Sequence, residues 1–104
     1  NADKSIINVV AIGRWTEATG MAVGGDGNDL VNDGRSKIDV VAIGRGAEAS
    51  GLLAMGNANY LVNTGGADIA VVAGGANAGA AGMIAEGSSN LLLNRSRADI
   101  MVAA

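Results

Sequence analysis

The chain matches itself at an offset of 31 residues, with no insertion or deletion between copies. Three copies occupy 5–35, 36–66 and 67–97, and residues 98–104 begin a fourth. A constant period of this length is typical of repeat proteins whose units stack on one another, so we expect one domain over 1–104. The columns with one residue in all three copies include Ile7/Ile38/Ile69, Val9/Val40/Val71, Ala11/Ala42/Ala73, Gly13/Gly44/Gly75, Gly20/Gly51/Gly82, Asn28/Asn59/Asn90, Leu30/Leu61/Leu92 and Asn32/Asn63/Asn94.

Each copy contains three short apolar blocks, each closed by Gly or Asn. In the second copy they are 38–43, 52–55 and 60–62. Helical repeats of similar length need uninterrupted segments of about ten residues or more, whereas glycines, of which the chain has 17, separate these short blocks. The pattern therefore predicts an all-β fold, a β-solenoid (β-helix) of three 31-residue coils with about three short strands in each coil and a partial fourth rung.

The identical columns alternate along each apolar block, which predicts that one face of each strand points into the solenoid. Ile38, Val40 and Ala42 share that face, and we expect each to lie about 4.8 Å from its copy in the next coil. Glycine columns should mark three corners, where positive φ or close backbone approach is needed. They are Gly13/Gly44/Gly75, Gly20/Gly51/Gly82 and Gly25/Gly56/Gly87.

Two asparagine columns also follow the inward alternation. Stacked Asn side chains can hydrogen-bond from coil to coil, which satisfies amides that would otherwise be buried without partners. The other interpretation is that Asn simply favours turns and left-handed backbone. We predict ladders at Asn32/Asn63/Asn94 and Asn28/Asn59/Asn90, and for the second column both interpretations stay open.

The ends of the stack should carry unpaired strand edges. Residues 1–4 are too few to cover a coil, residues 98–104 form another strand-like copy, and the chain has no Pro to block an edge. We therefore predict that copies of the chain polymerise head-to-tail. The predicted polymerisation edges are Ser5, Ile7, Val9 and Ala11 at one end and Ala98, Ile100 and Val102 at the other.

The outward positions are also apolar in several columns, among them Val10/Val41/Val72. Such residues suit either lateral packing of filaments or a flattened coil in which both faces are partly internal. The sequence leaves these two interpretations open.

The amino-acid composition argues against most other classes of function. Without His or Cys the chain offers no zinc site, disulfide or imidazole base, and no acid/base pair recurs, so we expect neither an enzyme nor a cofactor. A net charge of −3 with scattered Lys and Arg does not favour nucleic acid as a partner. No apolar run approaches the roughly 20 residues of a transmembrane helix. The sequence does not begin with Met, which is consistent with removal of a signal peptide.

Two motifs suggest ligands. The stretch 44–49 resembles a Gly-x-Gly-x-x-Ala dinucleotide fingerprint, but no helical pattern follows it. The stretch 24–32 matches the calcium-binding nonapeptide of secreted RTX proteins, with Asp26 and Asp29 as candidate metal ligands. The matching positions of the next coil are Asn57 and Tyr60, so we expect no regular calcium site there.

Each repeat also resembles the curli-type fibre subunits. Their repeats open with Ser, alternate apolar residues, turn at Gly-x-Gly-Asn-x-Ala and continue into a second strand. Residues 36–49 follow that frame, although Ala42 and Ala47 replace the family's ladder Gln and turn Asn and the period is longer. The resemblance implies a secreted extracellular or cell-surface fibre with matrix or adhesive roles.

Taken with the predicted edges, this resemblance leads to one principal function. We expect a structural subunit of an amyloid-like or pilus-like extracellular fibre, such as a biofilm matrix or surface filament. The alternatives are a non-catalytic binding module, such as an ice-binding or surface-recognition solenoid, and an RTX-like calcium-binding roll.

Overall fold

A computed structural model describes all residues from Asn1 to Ala104, which form ten β-strands and no helix. Each coil contributes three strands and the final segment contributes one, so the predicted β-solenoid of three coils with a partial fourth rung is confirmed. The strands are β1 (Ile6–Ile12), β2 (Glu17–Gly24), β3 (Asp29–Asn32), β4 (Lys37–Ile43), β5 (Glu48–Met55), β6 (Tyr60–Asn63), β7 (Asp68–Gly74), β8 (Gly79–Glu86), β9 (Leu91–Asn94) and β10 (Asp99–Ala103).

Equivalent strands of successive coils pair in parallel and form three sheets. Sheet A has the order β1-β4-β7-β10, sheet B the order β2-β5-β8 and sheet C the order β3-β6-β9. Every pair joins residues 31 positions apart, so that Ile38 lies between Ile7 and Ile69. The vertical register predicted from the repeat is therefore confirmed in all three sheets.

The inward face forms one apolar core. Ile38, Val40 and Ala42 are fully buried in β4, and Leu52 and Leu61 bring sheets B and C to the same cluster. Aliphatic side chains repeat along each column, so each residue packs against its own copy above and below. The core needs no large aromatic residue, because stacking buries small side chains on both sides.

Three turns separate the strands of each coil, and residues with left-handed backbone occur at each turn. At the first, Gly44 has φ +145, and a Cβ there would overlap the carbonyl oxygen of Gly13. The second includes Gly56 with φ +134, and the third includes Gly65 with φ +69 and Ser96 with φ 59. Two of the three predicted corners therefore coincide with turns.

The prediction that Gly20/Gly51/Gly82 marks the remaining corner is wrong, because Gly51 lies inside β5. A Cβ on Gly51 would overlap a methyl group of Ile69 and the carbonyl oxygen of Gly82. Ala49 and Leu52 are both buried although they are three residues apart, so the inward alternation changes phase at Gly51. Glycine is required here by close approach and not by backbone conformation.

The molecule is a short stack with extents of 33 × 30 × 16 Å. The shortest extent agrees with four rungs separated by about 4.8 Å. The fourth rung is present in sheet A alone, where β10 pairs with β7.

Candidate functional site

The buried asparagines Asn32 and Asn63 are joined to Asn94 in one chain of side-chain hydrogen bonds. The Nδ2 of Asn32 donates to the Oδ1 of Asn63 at 2.8 Å, and the Nδ2 of Asn63 donates to the Oδ1 of Asn94 at 2.9 Å. The same amides also reach sheet A, where they lie 3.1 Å from the carbonyl oxygen of Asp68 and 3.0 Å from that of Asp99. This column, named the Asn32 ladder below, ties sheet C to sheet A in the first two coils.

Asn1 extends the Asn32 ladder by one member, which the sequence analysis did not include. Its Nδ2 donates to the Oδ1 of Asn32 at 2.8 Å and to the carbonyl oxygen of Lys37 at 3.1 Å. The signal was present in the sequence, because Asn1 precedes Asn32 by one period. All amides of the ladder therefore donate in the same direction, from the first coil towards the last.

The Asn28/Asn59/Asn90 column connects the coils in a different way. The Oδ1 of Asn59 accepts the backbone N–H of Asn28 at 2.8 Å, and the Oδ1 of Asn90 accepts that of Asn59 at 2.8 Å. The left-handed residue at this turn is the preceding one, Ala58 with φ 55. These side chains thus bridge the coils through the backbone, and their own φ angles do not explain the choice of Asn.

One amide of this second column is left without a partner. The Nδ2 of Asn59 is buried and makes no hydrogen bond, whereas the Nδ2 of Asn90 donates to the carbonyl oxygen of Gly56 at 2.9 Å. A buried donor without a partner costs free energy, so we expect this column to stabilise the fold less than the Asn32 ladder does.

The predicted polymerisation edges lie on or beside the outermost strands of sheet A. Ile7, Val9 and Ala11 belong to β1, which pairs only with β4, and Ile100 and Val102 belong to β10, which pairs only with β7. The two remaining edge residues precede these strands: Ser5 donates its hydroxyl to the carbonyl oxygen of Ala2 at 2.6 Å, and Ala98 is buried.

The calcium motif is used for backbone contacts. The Oδ1 of Asp26 accepts the backbone N–H of Asn57 at 2.7 Å, and Asp29 pairs with Tyr60 at the start of sheet C. No group of three or more acidic, His or Cys side chains comes together anywhere in the chain. The Asp26 column continues with Asn57 and Ser88, and the Asp29 column with Tyr60 and Leu91, so neither column contains a second acidic residue.

The stretch resembling a dinucleotide fingerprint lies in the turn between β4 and β5. Gly44 and Gly46 both have positive φ, and the chain continues from this turn directly into strand β5. The helix whose N-terminus would hold a pyrophosphate is absent.

The outward face of sheet A carries an exposed apolar stripe, defined by Val10, Ile12, Ile43 and Val72. Their exposed fractions are 64%, 75%, 47% and 44%. In sheet C, by contrast, the outward residue Val62 is buried, with 3% exposure. Apolar outward residues are thus internal in the middle of sheet C and open to solvent on sheet A.

The chain forms no helix of the length and apolarity that crossing a membrane requires. Comparison with protein-family models, with curated proteins and with solved structures finds no match to this chain.

Proposed function

We propose that the chain is a structural subunit that polymerises head-to-tail into a fibre. The observation that carries the proposal is that sheet A ends on β1 and β10, each paired on one side only, while both strands repeat the columns found inside the sheet. An open strand edge that matches the interior of its own sheet is a template for another copy.

The strand at the open edge also carries unpaired backbone groups, which point along the stack and away from the neighbouring strand. Asp99 donates its N–H to the carbonyl oxygen of Ala67, and alternate residues of a strand direct their N–H groups to opposite sides. The N–H groups of Ile100 and Val102 therefore point away from β7. These N–H groups can donate to backbone carbonyl oxygens in the first strand of a second copy.

A contact between unlike ends does not close on itself, so it yields a filament. Parallel, in-register stacking of identical residues with an asparagine ladder is also the arrangement of amyloid-like fibres. We further propose that the fibre is extracellular or on the cell surface, as the curli resemblance implies, with a role in a biofilm matrix, a surface filament or adhesion.

The test replaces Val102 with Pro. The N–H of Val102 makes no bond within the chain in this arrangement, so Val102→Pro blocks the edge without breaking a pair inside the solenoid. We expect negative-stain microscopy to show filaments of the unmodified chain and a loss of most filament mass in Val102→Pro. Val102→Ile is the control, because it keeps the N–H and an apolar β-branched side chain in the inward column, and it should form filaments normally.

Two results would contradict the proposal. One is a wild-type chain that stays monomeric at high concentration by analytical ultracentrifugation. The other is a Val102→Pro variant that forms filaments as readily as Val102→Ile.

The second candidate is a binding module in which the flat outer face of sheet A acts. The exposed apolar stripe supports this alternative, because isolated soluble proteins rarely leave a continuous apolar surface of this kind open. It predicts a stable monomer that adsorbs to its target surface and loses adsorption when Val10 and Val72 become Ser. Filament formation by the purified chain would favour the first candidate.

A further inference from the structure

The Asn32 ladder has unlike ends. At one end, the side chain of Asn1 donates two hydrogen bonds through Nδ2, and its Oδ1 accepts none. At the other end, the Nδ2 of Asn94 donates one hydrogen bond, to the carbonyl oxygen of Ala98 at 3.0 Å, and its second N–H is free. A second copy in the same orientation would bring an open acceptor to an open donor. A copy in the opposite orientation would bring like groups together, which cannot bond.

We propose that neighbouring copies join in one register, in which Asn94 of one copy donates to Asn1 of the next and β10 pairs with β1. This inference rests on the proposed function and specifies its junction. Asn1 and Asn32 each reach the carbonyl oxygen 36 positions further along the chain, at Lys37 and Asp68. The equivalent partner of Asn94 is the carbonyl oxygen of Ile6 in the next copy.

The apolar columns of sheet A select the same register. The Ile7 column ends at Ile100, and the Val9 column ends at Val102. Pairing β10 with β1 of the next copy then stacks Ile100 on Ile7 and Val102 on Val9. A slip of one residue would set inward residues against outward ones, so the core would oppose it.

This register has a consequence for the other two sheets. Four full coils would need 124 residues, and the chain has 104, so the junction lacks 20 positions. They correspond to 43–62, which supply β5 and β6 in the second coil. Each junction therefore continues sheet A and the Asn32 ladder, while sheets B and C are interrupted for one rung.

Engineered disulfides test the register, since the chain contains no cysteine. Met101 and Asn8 both point outward and become direct neighbours across the junction, about 4.8 Å apart between Cα atoms, which is within disulfide range. We expect Asn8→Cys/Met101→Cys to give covalent multimers on non-reducing gels after mild oxidation of assembled samples. In Val10→Cys/Met101→Cys the Cα atoms are about 8 Å apart, so this matched variant should stay uncrosslinked.

Single variants test the orientation separately. A mixture of Asn8→Cys and Met101→Cys chains should give covalent dimers and nothing larger, and neither variant alone should give any. Filaments without crosslinks in Asn8→Cys/Met101→Cys, or crosslinks of equal yield in the Val10 variant, would overturn the register and leave the proposed function standing. Neither filaments nor crosslinks in any sample, including the wild-type chain, would overturn both.

Discussion

At the residue scale, the Asn32 ladder shows how a polar side chain can be buried without loss of stability. Asn63 is fully buried, accepts one hydrogen bond from Asn32 and directs its amide to Asn94 and to the carbonyl oxygens of Ala67 and Asp99. Each coil therefore supplies the partners that the next coil needs. Each Asn in the column therefore depends on the Asn in the coils before and after it.

Replacing Asn63 with Ala should lower the free energy of unfolding by about 2–4 kcal/mol, because it leaves the amide of Asn32 and the oxygen of Asn94 without their partner. Urea denaturation followed by circular dichroism measures this loss. Asn8→Ala is the control, since Asn8 is an exposed Asn in β1, and it should change stability by less than about 0.5 kcal/mol. Equal effects of the two substitutions would contradict the role given to the ladder.

At the element scale, the contact between sheet B and sheet A depends on a glycine column. In each coil the methyl group of an isoleucine one coil further on occupies the space where a glycine side chain would begin, as Ile38 does at Gly20 and Ile100 at Gly82. The strands of sheet B can therefore approach those of sheet A closely. Close packing of this kind leaves no room for an added carbon atom.

Gly51→Ala should destabilise the fold by about 3 kcal/mol, because the new Cβ would meet the backbone oxygen of Gly82 and the Cγ2 methyl group of the buried Ile69. Gly79→Ala is the matched control, as nothing lies within 4 Å of its added Cβ and its φ is not left-handed. It should leave stability unchanged or raise it by up to about 1 kcal/mol. Thermal unfolding of both variants makes the comparison, and a tolerant Gly51→Ala would refute the packing argument.

The element scale also shows what the sequence could predict. The coils, their three strands, the register and the inward position of Ile38 followed from a period without insertions, since such a period permits a single vertical alignment. The place of Gly51 could not be predicted, because its neighbour Ile69 lies on another sheet of the following coil. The direction of the asparagine contacts also depends on side-chain rotation, which periodicity does not encode.

At the scale of the whole molecule, the fourth rung is incomplete, and this limits how well copies can stack. Sheet A has four strands, whereas sheets B and C have three each. In the proposed register the inner residues of β8, such as Met83, face a missing strand instead of a neighbour. The junction should therefore be weaker than any pair of coils within one copy.

Adding a copy of 43–62 after Ala104 would complete the fourth coil and supply the missing strands of sheets B and C. We expect the lengthened chain to form filaments with a shorter lag, measured by light scattering, because the junction then buries apolar surface in all three sheets. A chain lengthened by 20 residues of Gly and Ser is the control and should not shorten the lag. Equal lags for the two chains would refute the interrupted junction.

In the proposed fibre, the exposed apolar stripe of Val10, Ile12, Ile43 and Val72 would be repeated along the fibre axis. In one copy the stripe consists of these four side chains alone. With four rungs per copy, the same group would recur about every 19 Å along the fibre. A ligand or surface that touches several repeats at once would then be retained by avidity, although each individual contact is weak.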